Sequence, residues 1–234
     1  MEKPKVRKLF TGKVKTMGHP DAEDKFDREW KSAIFKTERH ERSYLTKTGF
    51  DTDEVADKRN HGGPEKAVFA YPMIHYATWR RELGVDIEAG GFGENFAITG
   101  MDESSISIGD TYKVGGAVIQ VSQPRRPCWK PARRYRIIDL ALQIQNTGRT
   151  GWYFRVLQEG YVQPGDTLEL IEQPCPEWTI SACNEVMYDQ VDNVGLAESL
   201  SACEYLAPNW KATLEKRLLG KEGSSKKRVF GPNR

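Results

Sequence analysis

Two stretches of this chain carry the same punctuation. Ile108-Gly109-Asp110-Thr111-Tyr112-Lys113-Val114 and Pro164-Gly165-Asp166-Thr167-Leu168-Glu169-Leu170 each set Gly-Asp-Thr ahead of alternating apolar and polar residues. Glycine and aspartate turn a chain, and period-2 alternation marks a strand with one buried face. The echo is recurrent turn chemistry and not an internal repeat. Other segments obey the same rule: Gly115-Gly116 turns into the Val/Ile-rich stretch 117–122, and residues 9–16, 31–37, 66–70 and 95–98 read as further short strands. Two helices interrupt them. Tyr71-Pro72 opens the first, with Pro72 in its first turn, Met73, Tyr76 and Trp79 at helical spacing and Gly84 as its stop. Residues 137–145 form the second, ending near Gly148. Many short strands with scattered helices predict a mainly β fold with a barrel-like core.

The pattern breaks at Glu172-Gln173-Pro174-Cys175-Pro176, which reads as a linker. Beyond it lie three helical stretches, about 179–190, 195–206 and 208–219, with Asn193 and Gly195 between the first two and Pro208 opening the third. The predicted organisation is a barrel over residues 1–173, a three-helix module over 174–220 and a mobile basic tail over 221–234. A net charge of +2 over 234 residues demands no nucleic-acid partner. No apolar run approaches the roughly 20 residues that span a bilayer, and the charged first eight residues do not resemble a secretory signal. Four cysteines without CxxC spacing predict a reducing, cytoplasmic setting, and four histidines without HExxH argue against structural zinc.

Chemistry concentrates in Ser122-Gln123-Pro124-Arg125-Arg126-Pro127-Cys128-Trp129-Lys130. No acidic residue lies between Ser122 and Ile138, while Arg125, Arg126, Lys130, Arg133, Arg134 and Arg136 do. Nearby positive charge turns a thiol into a thiolate, which is both a nucleophile and a soft-metal ligand. Pro124 and Pro127 fix φ and remove donors, so the segment reads as a rigid loop and not a helix. The other reading is a buried thiol acting as a small hydrophobe beside a solvated basic face. Lys58-Arg59-Asn60-His61-Gly62-Gly63-Pro64 pairs cations with two glycines that let backbone approach an anion; it also reads as a plain turn. Asn95, after Gly91-Phe92-Gly93-Glu94, offers a donor and an acceptor to a polar ligand, with Glu94 solvated or ion-paired. Arg149, after Gly148, is a further cation for a pocket. GxSxG, Walker A and GxGxxG patterns are absent, which leaves serine hydrolase, P-loop and Rossmann chemistry unsupported.

In combination, residues 58–64, 91–95, 108–110, 120–130 and 145–153 resemble the MOSC domain family, in its YiiM type, whose three-helix module also fits residues 174–220. The resemblance implies a β-barrel core with a helical appendage and a pocket for molybdenum cofactor (molybdopterin). In it Cys128 would be the molybdenum ligand. Lys58, Arg59, His61, Gly62, Gly63, Asn95 and Arg125 would hold cofactor and substrate. It implies reduction of N-hydroxylated compounds, such as N-hydroxylated purine bases, with the N–OH oxygen leaving as water and His61 assisting protonation. With no flavin, haem or iron–sulfur motif in the chain, a separate electron-donor protein is expected. The three helices would dock that redox partner or a second subunit, as in a homodimer, or would simply stabilise the barrel. Two other functions stay open at this point: a sulfur carrier with a Cys128 persulfide, and a non-catalytic metal- or anion-binding module using Cys128, His61 and the arginines. Asn60 before His-Gly-Gly and Trp129-Lys130-Pro131 after the cysteine depart from the more usual pattern; the first would make the pocket edge more polar and the second would change the mouth of the site.

Overall fold

The computed structural model describes residues 3–234. The first part of the chain runs β1 (Lys5–Thr11), β2 (Lys15–Met17), β3 (Trp30–Ser32), β4 (Thr37–Arg39), β5 (Ser43–Thr46), β6 (Gly49–Phe50) and a single helical turn α1 (Lys58–His61). The middle contains β7 (Val68–Pro72), α2 (Ile74–Leu83), β8 (Phe96–Thr99), β9 (Thr111–Val114), β10 (Ala117–Pro124), α3 (Trp129–Tyr135) and α4 (Leu140–Asn146). β11 (Trp152–Gln158), β12 (Gly160–Val162) and β13 (Leu168–Glu172) close the β region. The helices α5 (Ile180–Asn184), α6 (Val194–Ala202), α7 (Pro208–Leu218) and α8 (Lys226–Phe230) end the chain.

Eight strands form one sheet in the order β13-β9-β10-β11-β7-β8-β1-β4. All neighbours are antiparallel except β7 and β8, and that parallel pair is bridged by α2, the kind of crossover parallel pairing requires. The sheet curls on itself. Val6 N–H donates to Asp166 O at 2.9 Å, Gly165 N–H to Val6 O at 2.7 Å and Leu168 N–H to Pro4 O at 2.9 Å. These bonds join β1 to the approach of β13, so both Gly-Asp-Thr turns and the strands they open belong to one near-closed barrel.

Alternation sorts the side chains. Val68 and Ala70 of β7 and Trp152, Phe154 and Val156 of β11 enter the main core, while Phe69, Tyr71 and Tyr153 face a second, aromatic cluster under α2, α3 and α4 with Trp79 and Phe92. The C-terminal helices share the main core: Trp178, Ile180, Cys183, Met187, Leu200, Trp210 and Leu214 pack in the same cluster as the barrel strands. Their boundaries follow local chemistry. Thr179 caps α5 by accepting from Ala182 N–H, Asn193 caps α6 from Leu196 N–H, and Pro208 occupies the first turn of α7.

Several local expectations shift. Pro72 ends β7 and does not open α2; the helix starts at Ile74, after Met73 N–H bonds Ile98 O at 2.8 Å, and does end at Gly84. The 31–37 stretch splits into β3 and β4, and its middle lines a cavity. Trp129 and Lys130 lie in α3, because Pro131 fits a first turn where no N–H is needed. The tail at 221–234 is not a free arm. It forms α8 with Val229 fully buried, and Asn233 is buried as well.

Candidate functional site

β10 delivers the cysteine. Its register with β11 slips between Val121 and Gln123, a bulge that bends the strand just before Pro124. The chain then runs irregularly to Cys128, which is the N-cap residue of α3 and only 7% exposed. Opposite stands α1. Asp57 caps it by accepting from Asn60 N–H at 3.1 Å, and the turn brings His61 within hydrogen-bonding reach of the Cys128 sulfur. Gly63 follows with φ +94°, a conformation that glycine adopts without strain.

A cavity of about 840 Å³ opens between these pieces, within the range of cofactor sites. Cys128, His61, Lys58, Gly62, Gly63, Asn95 and Arg125 line it, so six of the segments' expected residues and the thiol are brought together. Arg59 is not in the lining and is exposed on α1. Arg149 is also elsewhere: its guanidinium pairs with Glu82 at 2.6 and 3.0 Å and lies 4.7 Å over the Trp79 ring.

Burial alone would push the Cys128 thiol up. The charge and hydrogen bond of His61, the Arg125 guanidinium and the Lys130 backbone N–H outweigh it and bring the value down to about 6. The other thiols are opposite in kind. Cys183 is raised by burial, and Cys175 by burial and by Cys203, whose sulfur lies 3.7 Å away. Alkylation by iodoacetamide, followed residue by residue by mass spectrometry, should therefore rise through pH 6 and level off near pH 8 for Cys128. Cys175 should still be climbing there. A Cys128 profile centred near the ordinary thiol value would contradict this electrostatic account.

Arg125 is 4% exposed. Its guanidinium lies 4.7 Å over Phe69 and within reach of Tyr153, while Nη1 is buried and finds no partner among the described residues. An orphaned buried donor on a cavity wall is costly unless a ligand completes it. Lys58, Lys66 and Lys130 also line the cavity. The acids there are largely spent: Asp53 pairs with buried Lys36, Glu54 accepts from Val14 N–H at 2.9 Å and pairs with Lys13, and Asp57 caps α1. The donor set therefore suits an anionic group beside a soft thiolate ligand, which fits a phosphate-bearing molybdenum pterin. A zinc-type ion would want about four protein or water ligands, and no three of His, Cys, Asp or Glu converge for one among the described residues.

Asn95 lines the cavity, but its amide is occupied. Oδ1 accepts from Phe69 N–H at 3.1 Å, and Nδ2 donates to Phe10 O at 3.2 Å and Asp53 Oδ2 at 2.8 Å. Both donors are spent on protein, so Asn95 has a structural role and only its Oδ1 keeps a free lone pair on the cavity wall. Glu94 is not solvated: it is completely buried and accepts from Tyr76 OH, Gly90 N–H and Phe92 N–H, while burial pushes its carboxyl up. The Lys36–Asp53 pair was not anticipated, since nothing near either residue signals the other. Trp129 does not shape the mouth. It packs on Trp30 at 5.8 Å and beneath Arg133 at 5.1 Å, and only Lys130 and Pro131 of that trio line the cavity.

Comparison with known proteins places this arrangement. Residues 57–169 match the family described as MOSC domain, and residues 178–220 the YiiM-like, 3-alpha helix domain. Protein YiiM of Escherichia coli is 35% identical over 227 residues, 95% of this chain and 97% of its own. A protein named reductase from Gibberella moniliformis is 37% identical over 179 residues, 75% of this chain but 31% of that longer protein. The crystal structure of YiiM from Geobacillus stearothermophilus superposes with a TM-score of 0.77 at 33% identity, covering 92% of this chain and 99% of that one.

Proposed function

This chain belongs to the MOSC domain family, with a YiiM-like three-helix domain after the barrel, and on that premise we propose that its cavity binds molybdenum cofactor and reduces N-hydroxylated compounds such as N-hydroxylated purine bases. The observation that carries the reading is that the buried Cys128 thiol shares a cavity wall with Arg125, whose buried Nη1 has no partner among the described residues. The name of the fungal relative, a reductase, supports the reaction class. When bound, the cofactor supplies two-electron redox chemistry at an oxygen-seeking metal.

In this reading Cys128 is the protein ligand to molybdenum. Arg125, Lys58 and the backbone around Gly62 and Gly63 bind the anionic end of the pterin. The net conversion is R–NHOH plus two electrons and two protons to R–NH2 and water. An imidazole N–H of His61 gives a proton to the departing oxygen, and bulk water restores it. Phe69, Phe92 and Tyr153 on the cavity wall offer apolar faces to a planar base. The electrons come from a separate donor protein. No helix among the described residues is long and apolar enough to cross a membrane, and four free thiols suit a reducing compartment, for which we propose the cytoplasm.

The test is protein from a host that makes molybdenum cofactor. Molybdenum by elemental mass spectrometry and pterin by fluorescence after oxidation should both approach one per chain. Chemically reduced protein should then convert an N-hydroxylated base to the amine. Absence of molybdenum from a competent host would sink the reading, and a Cys128 persulfide in its place would favour sulfur transfer.

A further inference from the structure

The loop that carries Cys128 has an unusual supply of partners. Pro124 and Pro127 lack N–H groups and the segment pairs with no strand past Pro124, so its carbonyls need donors from elsewhere. The barrel contributes one backbone bond, Arg125 N–H to Gly151 O at 3.0 Å. Four further side-chain anchors involve the C-terminal segment. Trp210 Nε1 donates to Pro124 O at 3.1 Å, and Arg126 Nη1 donates to Thr213 Oγ1 at 2.9 Å. Arg228 Nη1 donates to Pro127 O, and Asn233 Nδ2 to Trp129 O at 3.3 Å. The carbonyls on either side of Cys128 are thus both held by residues about 100 positions away.

These anchors are themselves fixed. Arg228 Nη2 donates to Gln145 Oε1 at 2.8 Å, and Asn233 Oδ1 accepts from Arg133 Nε at 2.9 Å. Gly231 lies so close to Trp129 that a Cβ there would fall 2.3 Å from the indole. Trp129 belongs to the three-residue segment that departs from the usual pattern, and residues beyond the three-helix match cover it.

We propose that the C-terminal segment from α7 to Asn233 is a clamp that positions the cysteine loop, with Arg228 the positioning residue that sets the peptide carbonyl immediately before Cys128. This assigns the appended helices a part in the site and not only in stability, and it rests on the reading of Cys128 as the functional thiol. Without the Arg228 fork the Pro127–Cys128 peptide loses its one charged donor and the loop opens toward solvent.

The test uses the full chain with Arg228→Met and Arg228→Lys. Two readouts need no molybdenum: amide exchange of residues 125–130 and the alkylation rate of Cys128 at one fixed pH. Arg228→Met should raise both by about tenfold, the size expected for one charge-assisted hydrogen bond. Arg228→Lys, which keeps one charged donor, should fall between it and wild type. Exchange in β7, β10 and β11 should stay at the wild-type level. A rise spread evenly over the barrel, or no rise at the loop, would overturn the proposal. If Arg228→Met does not fold, Asn233→Ala applies the same test at Trp129 O, with a loop-confined rise expected and its absence equally fatal. Loop opening in a protein that never holds molybdenum would preserve the clamp and defeat the proposed reductase; the reverse pair of results would do the opposite.

Discussion

Cys128→Ala is expected to lose molybdenum and reductase activity together while the protein remains folded. Removal of residues that only support metal ligands typically costs 10–100-fold in affinity or activity, so loss of the ligand itself should leave less than about one hundredth of each. The fold survives because the loop is held by Trp210, Arg126, Arg228 and Asn233, none of which bonds the sulfur. Stability should nevertheless diverge with pH. The thiol titrates at about 6 in the folded chain against an ordinary 9.0, so the thiolate's contribution is complete above pH 9 and is lost as pH falls through 6. Wild type should therefore gain on Cys128→Ala between pH 6 and pH 9, measurable as a widening gap in Tm. Cys175→Ala, Cys183→Ala and Cys203→Ala should keep molybdenum and activity. A loss in any of them equal to that of Cys128→Ala would mean the wrong thiol has been assigned.

The second large effect is on stability. Asn95→Ala should lower it by about 3 kcal/mol, since it strands the buried Phe69 N–H and Phe10 C=O and each such group costs roughly 1–3 kcal/mol. In a chain of this size that is roughly 6–12 °C in Tm. It also cuts Asp53 free from the Asn95 side, leaving Lys36 to hold it. Thermal unfolding of the purified variant measures the loss. A variant with wild-type Tm and impaired cofactor retention would restore Asn95 to the ligand-binding role read from its sequence context.

What was legible in the sequence was chemistry that acts within a few residues. The Gly-Asp-Thr turns, the Gly84 stop and Asn193 work through bonds spanning three or four positions, Pro208 through its fixed φ, and each sits where its local pattern implies. The basic stretch around Cys128 pointed to a depressed thiol and Arg125 does contribute, but the largest lowering influence is His61, far away in the sequence. At Asn95 and in the basic tail, the partner lies too far away in the chain to be read. Asn95 answers to Phe10, 85 residues away, and Arg228 to Pro127, 101 residues away. A polar residue in a Gly-rich loop or a basic tail has the same local pattern whether its partner is a ligand, water or a distant carbonyl. His61 beside Cys128 was suggested by residue type, but only the packing of α1 against the loop brings them together.

The near-closed barrel also constrains the order of events at the ribosome. β1 pairs with β4, which follows it soon in the chain, but its other partners, β8 and residues 165–168, are synthesised much later. At about 5–20 residues per second, the gap between β1 and its closing partner amounts to roughly ten to thirty seconds. The wait is longer still for the core, because Trp178, Trp210 and Leu214 complete the same apolar cluster as the strands. A nascent chain halted before residues 165–168 would hold an unclosed sheet with bare edges, the exposed surface that makes incomplete chains prone to aggregate. The barrel can therefore close only once residues 165–168 have been made, and the last contact on the Cys128 loop only once Asn233 has.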